Sequence, residues 1–136
     1  MEKINNLIGL VVCLSCFVIG AVHAETAERI DSAKAPFYVG KTVMVCGVIK
    51  EVVPRSKNVY LNMTRNYLRE DLALVVWRED FGLFREKFGN FENLSEKRVC
   101  ALGKLQLYKQ HIQMPLSNPK NLRKLCKIRN FSQSPF

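Results

Sequence analysis

KRVCALGKLQLYKQHIQMPLS, residues 97–117, is the stretch whose reading decides the fold. Its first half alternates Val99, Ala101, Gly103, Leu105 and Leu107 with Arg98, Cys100, Leu102, Lys104, Gln106 and Tyr108. A period of two marks a strand that buries one face, so the second face is expected to be largely wet, and it is basic. Gly103 lies inside the run, where a missing side chain points to a bulge or a sharp bend, as at the corner of a small barrel. After Lys109, Gln110 and His111 the alternation resumes with Ile112, Met114 and Leu116, and the whole stretch reads as a long bent hairpin.

Upstream, residues 42–53 alternate through Val43 and Val45 until Gly47 interrupts before Ile49, giving a first long strand with a bulge at the glycine. Pro54, Arg55, Ser56, Lys57 and Asn58 supply turn chemistry. Residues 59–63 form a second strand, residues 65–71 a polar link, and residues 72–77 a short apolar third strand near the core, with Trp77 in the core or at its rim. The period then changes. Phe81, Phe84 and Phe88 fall on one face of an amphipathic helix over residues 79–90, able to plug the open end of a barrel. At the two ends, residues 25–34 have helical composition that stops at Ala35-Pro36. From residue 118 the chain is polar and basic, with one helical turn around residues 122–125.

Three strands, a short helix and two strands joined by a tight loop is the order of the all-β, five-stranded Greek-key OB barrel, whose binding surface joins the face of strands 2 and 3 to loops 1–2 and 4–5. The segments TVMVCGVIKEV, VYLN followed by NY, LVVW and KRVCALGKLQLYK…IQM also resemble small exported bacterial proteins that carry an OB domain of the nucleic-acid-binding type. The resemblance spans residues 38–118 and implies the barrel, with a nucleic-acid partner as the corresponding expectation of function. One departure stands out: those relatives carry glycine in the last hairpin turn, and this chain has Gln110-His111. The expected division is a signal peptide at 1–24, a lead at 25–37, the barrel at 38–118 and a basic tail at 119–136.

Lys3, the apolar run over residues 7–22 and the sequence Val22-His23-Ala24 have the layout of a secretory leader cleaved after Ala24, which predicts an exported, periplasmic or secreted protein. No transmembrane segment would follow it, an uncleaved anchor is the weaker alternative, and Cys13 and Cys16 sit in poor lipidation contexts. The remainder is enough for one small domain with a single core. Three cysteines remain, Cys46, Cys100 and Cys126, and an oxidising compartment would pair two of them. Cys46 and Cys100 occupy equivalent outward positions on two strands, so theirs is the favoured disulfide. Three pairings remain formally open, with Cys126 free or intermolecular.

The net charge of +9 points to an anionic partner or surface. Its placement is uneven: residues 97–136 hold nine basic residues and no acidic one, whereas the preceding residues hold twelve of each. No enzyme pattern is present. His111, the one histidine beyond the leader, lies in a predicted turn without a nucleophile beside it. Glu70-Asp71 and Glu79-Asp80 are adjacent pairs, not a metal cluster. No metal site and no cofactor are expected. The expectation is a non-enzymatic binding module that holds single-stranded nucleic acid or another polyanion by backbone charge and base stacking. The candidate platform is Tyr60 and Tyr108 with Tyr67 in the following loop; the candidate phosphate contacts are Arg55, Lys57, Arg65, Lys104 and Lys109. The alternative is an envelope module whose surface docks on a protein partner or an anionic surface.

Overall fold

The computed structural model describes residues 26–63 and 72–125. The strands are β1 (Arg29–Asp31), β2 (Thr42–Val48), β3 (Glu51–Pro54), β4 (Asn58–Asn62), β5 (Ala73–Trp77), β6 (Arg98–Lys104), β7 (Gln106–Tyr108), β8 (His111–Leu116) and β9 (Leu122–Lys124), with helix α1 (Phe81–Phe88) between β5 and β6. They form two sheets, β1-β2-β6-β9 and β3-β4-β5-β8-β7. The sheets share two bent strands. β2 and β3 are halves of the first barrel strand and β6 and β7 halves of the fourth, so the pairings run in a ring. β2 pairs with β6, β7 with β8, β8 in parallel with β5, and β5 and β3 each with β4. This is the five-stranded OB topology.

The bends fall beside the glycines, not on them. Gly47 stays in register with Val99, and the first strand changes partner two residues later, where Ile49 N–H donates to Lys97 O at 3.0 Å and Lys50 N–H to Asn62 O at 2.8 Å. Adjacent amides thus bind strands of different sheets, and the bulge expected at Gly47 is a corner at Ile49-Lys50. Gly103 likewise pairs with Val43, and the fourth strand breaks at Leu105. Gly103 serves a close approach: a Cβ there would lie 2.9 Å from Met114 Cγ.

The inward set of the decisive stretch is Val99, Ala101, Leu105, Ile112, Met114 and Leu116, all buried, with Val43, Val45, Ile49, Leu61, Leu74 and Val76 opposite. Leu107 breaks the pattern. It holds the inward parity beside Ile112 but is 62% exposed, because β7 runs past the end of the barrel core. The outer face of the first and fourth strands is not uniformly wet either, since Cys46 and Cys100 are buried there. They lie opposite one another in register and are joined by a disulfide, flanked by β1 and β9. Helix α1 inserts Phe84, fully buried, and Phe81 meets Phe91 edge-on at 5.2 Å between ring centroids, which closes the barrel as the helical spacing predicts.

Both ends differ from expectation. The lead is a short strand followed by a 3-10 helix, Ser32–Tyr38, that runs through Pro36; Asp31 caps it by accepting from Ala33 N–H. The start of the basic tail forms β9 instead of a helical turn, because Leu122 is fully buried against the core cluster. Lys87 of α1 holds this segment, donating to Pro119 O at 2.9 Å and Leu122 O at 3.1 Å. Residues 1–24, read above as a leader, Cys126 and the end of the tail lie outside the described residues.

Candidate nucleic-acid interface

Strand parity that turns Leu61, Leu74, Val76, Ile112 and Met114 inward necessarily turns their neighbours outward. On the five-stranded sheet those neighbours fall in cross-strand rows. Val53, Tyr60, Val75 and Pro115 form one row, and Glu51, Asn62, Ala73, Gln113 and Gln106 the next, all of them but Glu51 lining one groove. Beyond them, Asn58 stands opposite Trp77, and Tyr108 opposite His111. These rows are the floor of an open groove of about 750 Å³. One end is bounded by residues 55–57 between β3 and β4, the other by the turn between β7 and β8, so loops 1–2 and 4–5 flank the face as expected.

Five of the candidate residues come together here: Arg55, Lys57, Tyr60, Tyr108 and Lys109 all line the groove. Lys104 does not. It ends β6 opposite Thr42 and is absent from the lining, because the break at Leu105 separates it from loop 4–5. Arg65 and Tyr67 lie outside the described residues. Trp77 corrects the sequence reading: it is 42% exposed and lines the groove, diagonal to Tyr60 across the β4–β5 pair. The signal was present, since burying Leu74 and Val76 leaves the other parity to Trp77.

Local contacts hold these groups in place. Arg55 N–H donates to Asn58 O at 2.8 Å and closes the turn, and Arg78, the residue after β5, braces it, its N–H donating to Lys57 O at 2.9 Å. Asn58 Nδ2 donates to the Tyr60 hydroxyl at 3.3 Å. At the other end Lys109 Nζ lies 5.4 Å from the centroid of the Tyr108 ring, a cation–π distance.

The electrostatics are one-sided. Arg55, Lys57 and Lys109 line the groove, and among the described residues no Asp or Glu does. This charge comes mainly from loop 1–2, in the electrically balanced half of the sequence. Of the described basic residues from Lys97 onward only Lys109 lines the groove, while Arg98, Arg123 and Lys124 belong to the β6–β9 sheet. Of the two candidate contacts from Lys97 onward, Lys109 reaches the groove and Lys104 does not. Away from the groove, the Tyr38 hydroxyl donates to Glu28 at 2.9 Å, and this hydrogen bond raises its pKa above the ordinary phenol value.

No known family and no curated protein matches the sequence. Solved structures do match. An OBody, AM3L15, described bound to hen egg-white lysozyme, superposes with a TM-score of 0.51 at 17% identity, over 72% of this chain and 94% of its own. A second OBody bound to lysozyme, AM3L09, gives 0.51 at 16% identity over 71% and 92%. Asparaginyl-tRNA synthetase from Pyrococcus horikoshii, complexed with asparaginyl-adenylate, gives 0.50 at 15% identity over 72% of this chain; the match takes in 22% of the synthetase chain. With the topology above, these likenesses make the chain an OB-fold protein.

Proposed function

We propose that this OB domain is a non-enzymatic binding protein for single-stranded nucleic acid, held across the five-stranded face. One observation carries the reading: Tyr60, Trp77 and Tyr108 share a groove with Arg55, Lys57 and Lys109, and no carboxylate lines it. Aromatic faces stack bases of any sequence while the cations follow the phosphates, which is how single strands are bound without a code. The likeness to a tRNA synthetase agrees with such a partner, the OBody complexes agree equally with a protein partner, and the chemistry of the groove favours the first. The proposal takes residues 1–24 as an export leader. A disulfide suits the oxidising compartment to which export would deliver the chain.

A fluorescence-anisotropy titration with single-stranded oligonucleotides across a salt series tests it. Neutralising about three phosphates gives a log–log salt slope near −2, at roughly 0.7 per phosphate for single strands. Affinity that is flat from low to physiological salt sinks the proposal.

The second reading, docking on an envelope protein or an anionic surface, is favoured by the basic residues Arg98, Arg123 and Lys124 on the opposite sheet. Truncation after Leu125 keeps β9 and removes the two basic residues beyond it, Lys127 and Arg129. Surface docking should weaken on truncation and ignore Tyr60→Ala. Groove binding should respond to Tyr60→Ala.

A further inference from the structure

Beside the row that holds Tyr60, the floor carries a line of neutral amides. Asn62, Gln113 and Gln106 lie in one cross-strand line, with Ala73 between Asn62 and Gln113, and all four line the groove. Strand geometry sets the scale. Tyr60 and Asn62 are two residues apart on one face, roughly 7 Å, and Asn62 and Gln113 are two strand spacings apart, roughly 10 Å. A base stacked on Tyr60 would therefore extend its polar edge over the small Ala73, between two amides.

An amide both donates and accepts, so such a row alone would read any base edge. At Asn62 that ambivalence is removed. Asn62 Nδ2 faces Glu51 Oε2 at 3.5 Å, and Glu51, its cross-strand partner on β3, does not line the groove. A carboxylate only accepts, so the nitrogen must be the atom turned toward it. That leaves Oδ1 as the acceptor a base edge would meet.

We infer that Asn62, oriented by Glu51, makes the groove selective for bases that present an exocyclic amine, and that cytosine is favoured over uracil. This inference rests on the nucleic-acid reading above and adds base selection to it. Cytosine offers an amine donor at position 4 where uracil offers a carbonyl acceptor, which would meet the Asn62 oxygen lone pair to lone pair. Stacking strength alone gives only modest preferences, and those would survive substitution of Asn62.

The test uses the full chain and fluorescein-labelled oligo(dC) and oligo(dU) of equal length, at pH 8 and fixed salt, read by anisotropy. The expected result is about five-fold tighter binding of oligo(dC), the equivalent of one net hydrogen bond. Asn62→Leu should bring the two affinities together by weakening oligo(dC). Glu51→Gln should also erase the ratio, since a glutamine can accept or donate and frees Asn62 to turn over. Its lost negative charge should strengthen both complexes alike, and only the ratio bears on the inference. Equal affinities in the unmodified protein, or a preference that survives both substitutions, would overturn base selection and leave the groove reading standing. Absence of binding to either probe at low salt would overturn both.

Discussion

Asn58 and Tyr60 stand two residues apart on one face of β4, and the amide of the first donates to the hydroxyl of the second at 3.3 Å. Asn58 is the buried polar side chain among the described residues, at 7% exposure, so its amide depends on this partner more than a surface group would. Tyr60→Phe removes the acceptor and keeps the ring. Leaving a buried donor unpaired costs about 1–3 kcal/mol, so the urea midpoint should fall with the slope unchanged. Oligonucleotide affinity should change little, because stacking uses the ring. Tyr60→Ala removes the ring and should cost about 1–3 kcal/mol of binding. Equal losses of affinity in the two variants would show that the hydroxyl, not stacking, holds the ligand.

The disulfide offers a separate test of the fold. Cys46 and Cys100 are 54 residues apart in sequence. Closing a loop of that length restricts the unfolded chain by about 4 kcal/mol in the chain-entropy account. Unfolding in urea with a thiol reductant should therefore show a markedly lower midpoint, and a non-reducing peptide map should recover Cys46 and Cys100 in one linked fragment. A linkage of either residue to Cys126 would overturn the pairing.

The barrel was legible because alternation and aromatic spacing report burial directly. Val99, Ala101, Leu105, Ile112 and Met114 announced one buried face, and the three phenylalanines announced a helical plug. The flanking strands were not legible. β1 and β9 have three residues each, too short for a period, and form only because the edges of β2 and β6 are there to pair with them. At the site, Arg55, Lys57, Tyr60, Tyr108 and Lys109 were readable from parity and loop position, but Lys104 was misplaced because the corner sits one residue beyond it. At Trp77 parity outranks apolar character: Leu74 and Val76 take the buried face and leave the indole 42% exposed. Charge counts carry no direction: among the described residues, Arg98 precedes the corner at Leu105 and belongs to the other sheet, whereas Lys109 follows it and lines the groove.

Gly103 and Gly82 should respond to alanine with opposite signs. A Cβ at Gly103 would lie 2.9 Å from Cγ and 3.1 Å from Sδ of Met114, which is wholly buried and has nowhere to withdraw. Overpacking of this kind costs about 1–3 kcal/mol, so Gly103→Ala should lower the urea midpoint. Gly82 lies in α1, exposed, with open space where a Cβ would stand. There alanine should stabilise by about 0.5–1 kcal/mol through helix propensity. If Gly103→Ala is as benign as Gly82→Ala, the close crossing of β6 and β8 is wrong.

The turn between β7 and β8 sets stability against binding. Tyr108 pairs with His111, so the connection is two residues long, Lys109 and Gln110, and both are left-handed at φ 47° and 65°. That is the geometry a tight hairpin demands, usually met by Asn-Gly, and side chains forced into it cost roughly 1–2 kcal/mol per residue. Glycine at either position relieves that cost, less the added freedom of the unfolded chain, for a net gain of about 1 kcal/mol. The two variants should part company in binding. Gln110→Gly leaves Lys109 over the Tyr108 ring and should hold oligonucleotides as tightly as the unmodified protein. Lys109→Gly should be equally stabilised yet bind more weakly, with a salt slope shallower by roughly 0.7 for one lost phosphate contact. Strain kept at a position where glycine would serve the fold better is expected when the side chain is needed for function. If Lys109→Gly gains stability and loses no affinity, the strain has no such reason, and loop 4–5 is not a wall of the binding site.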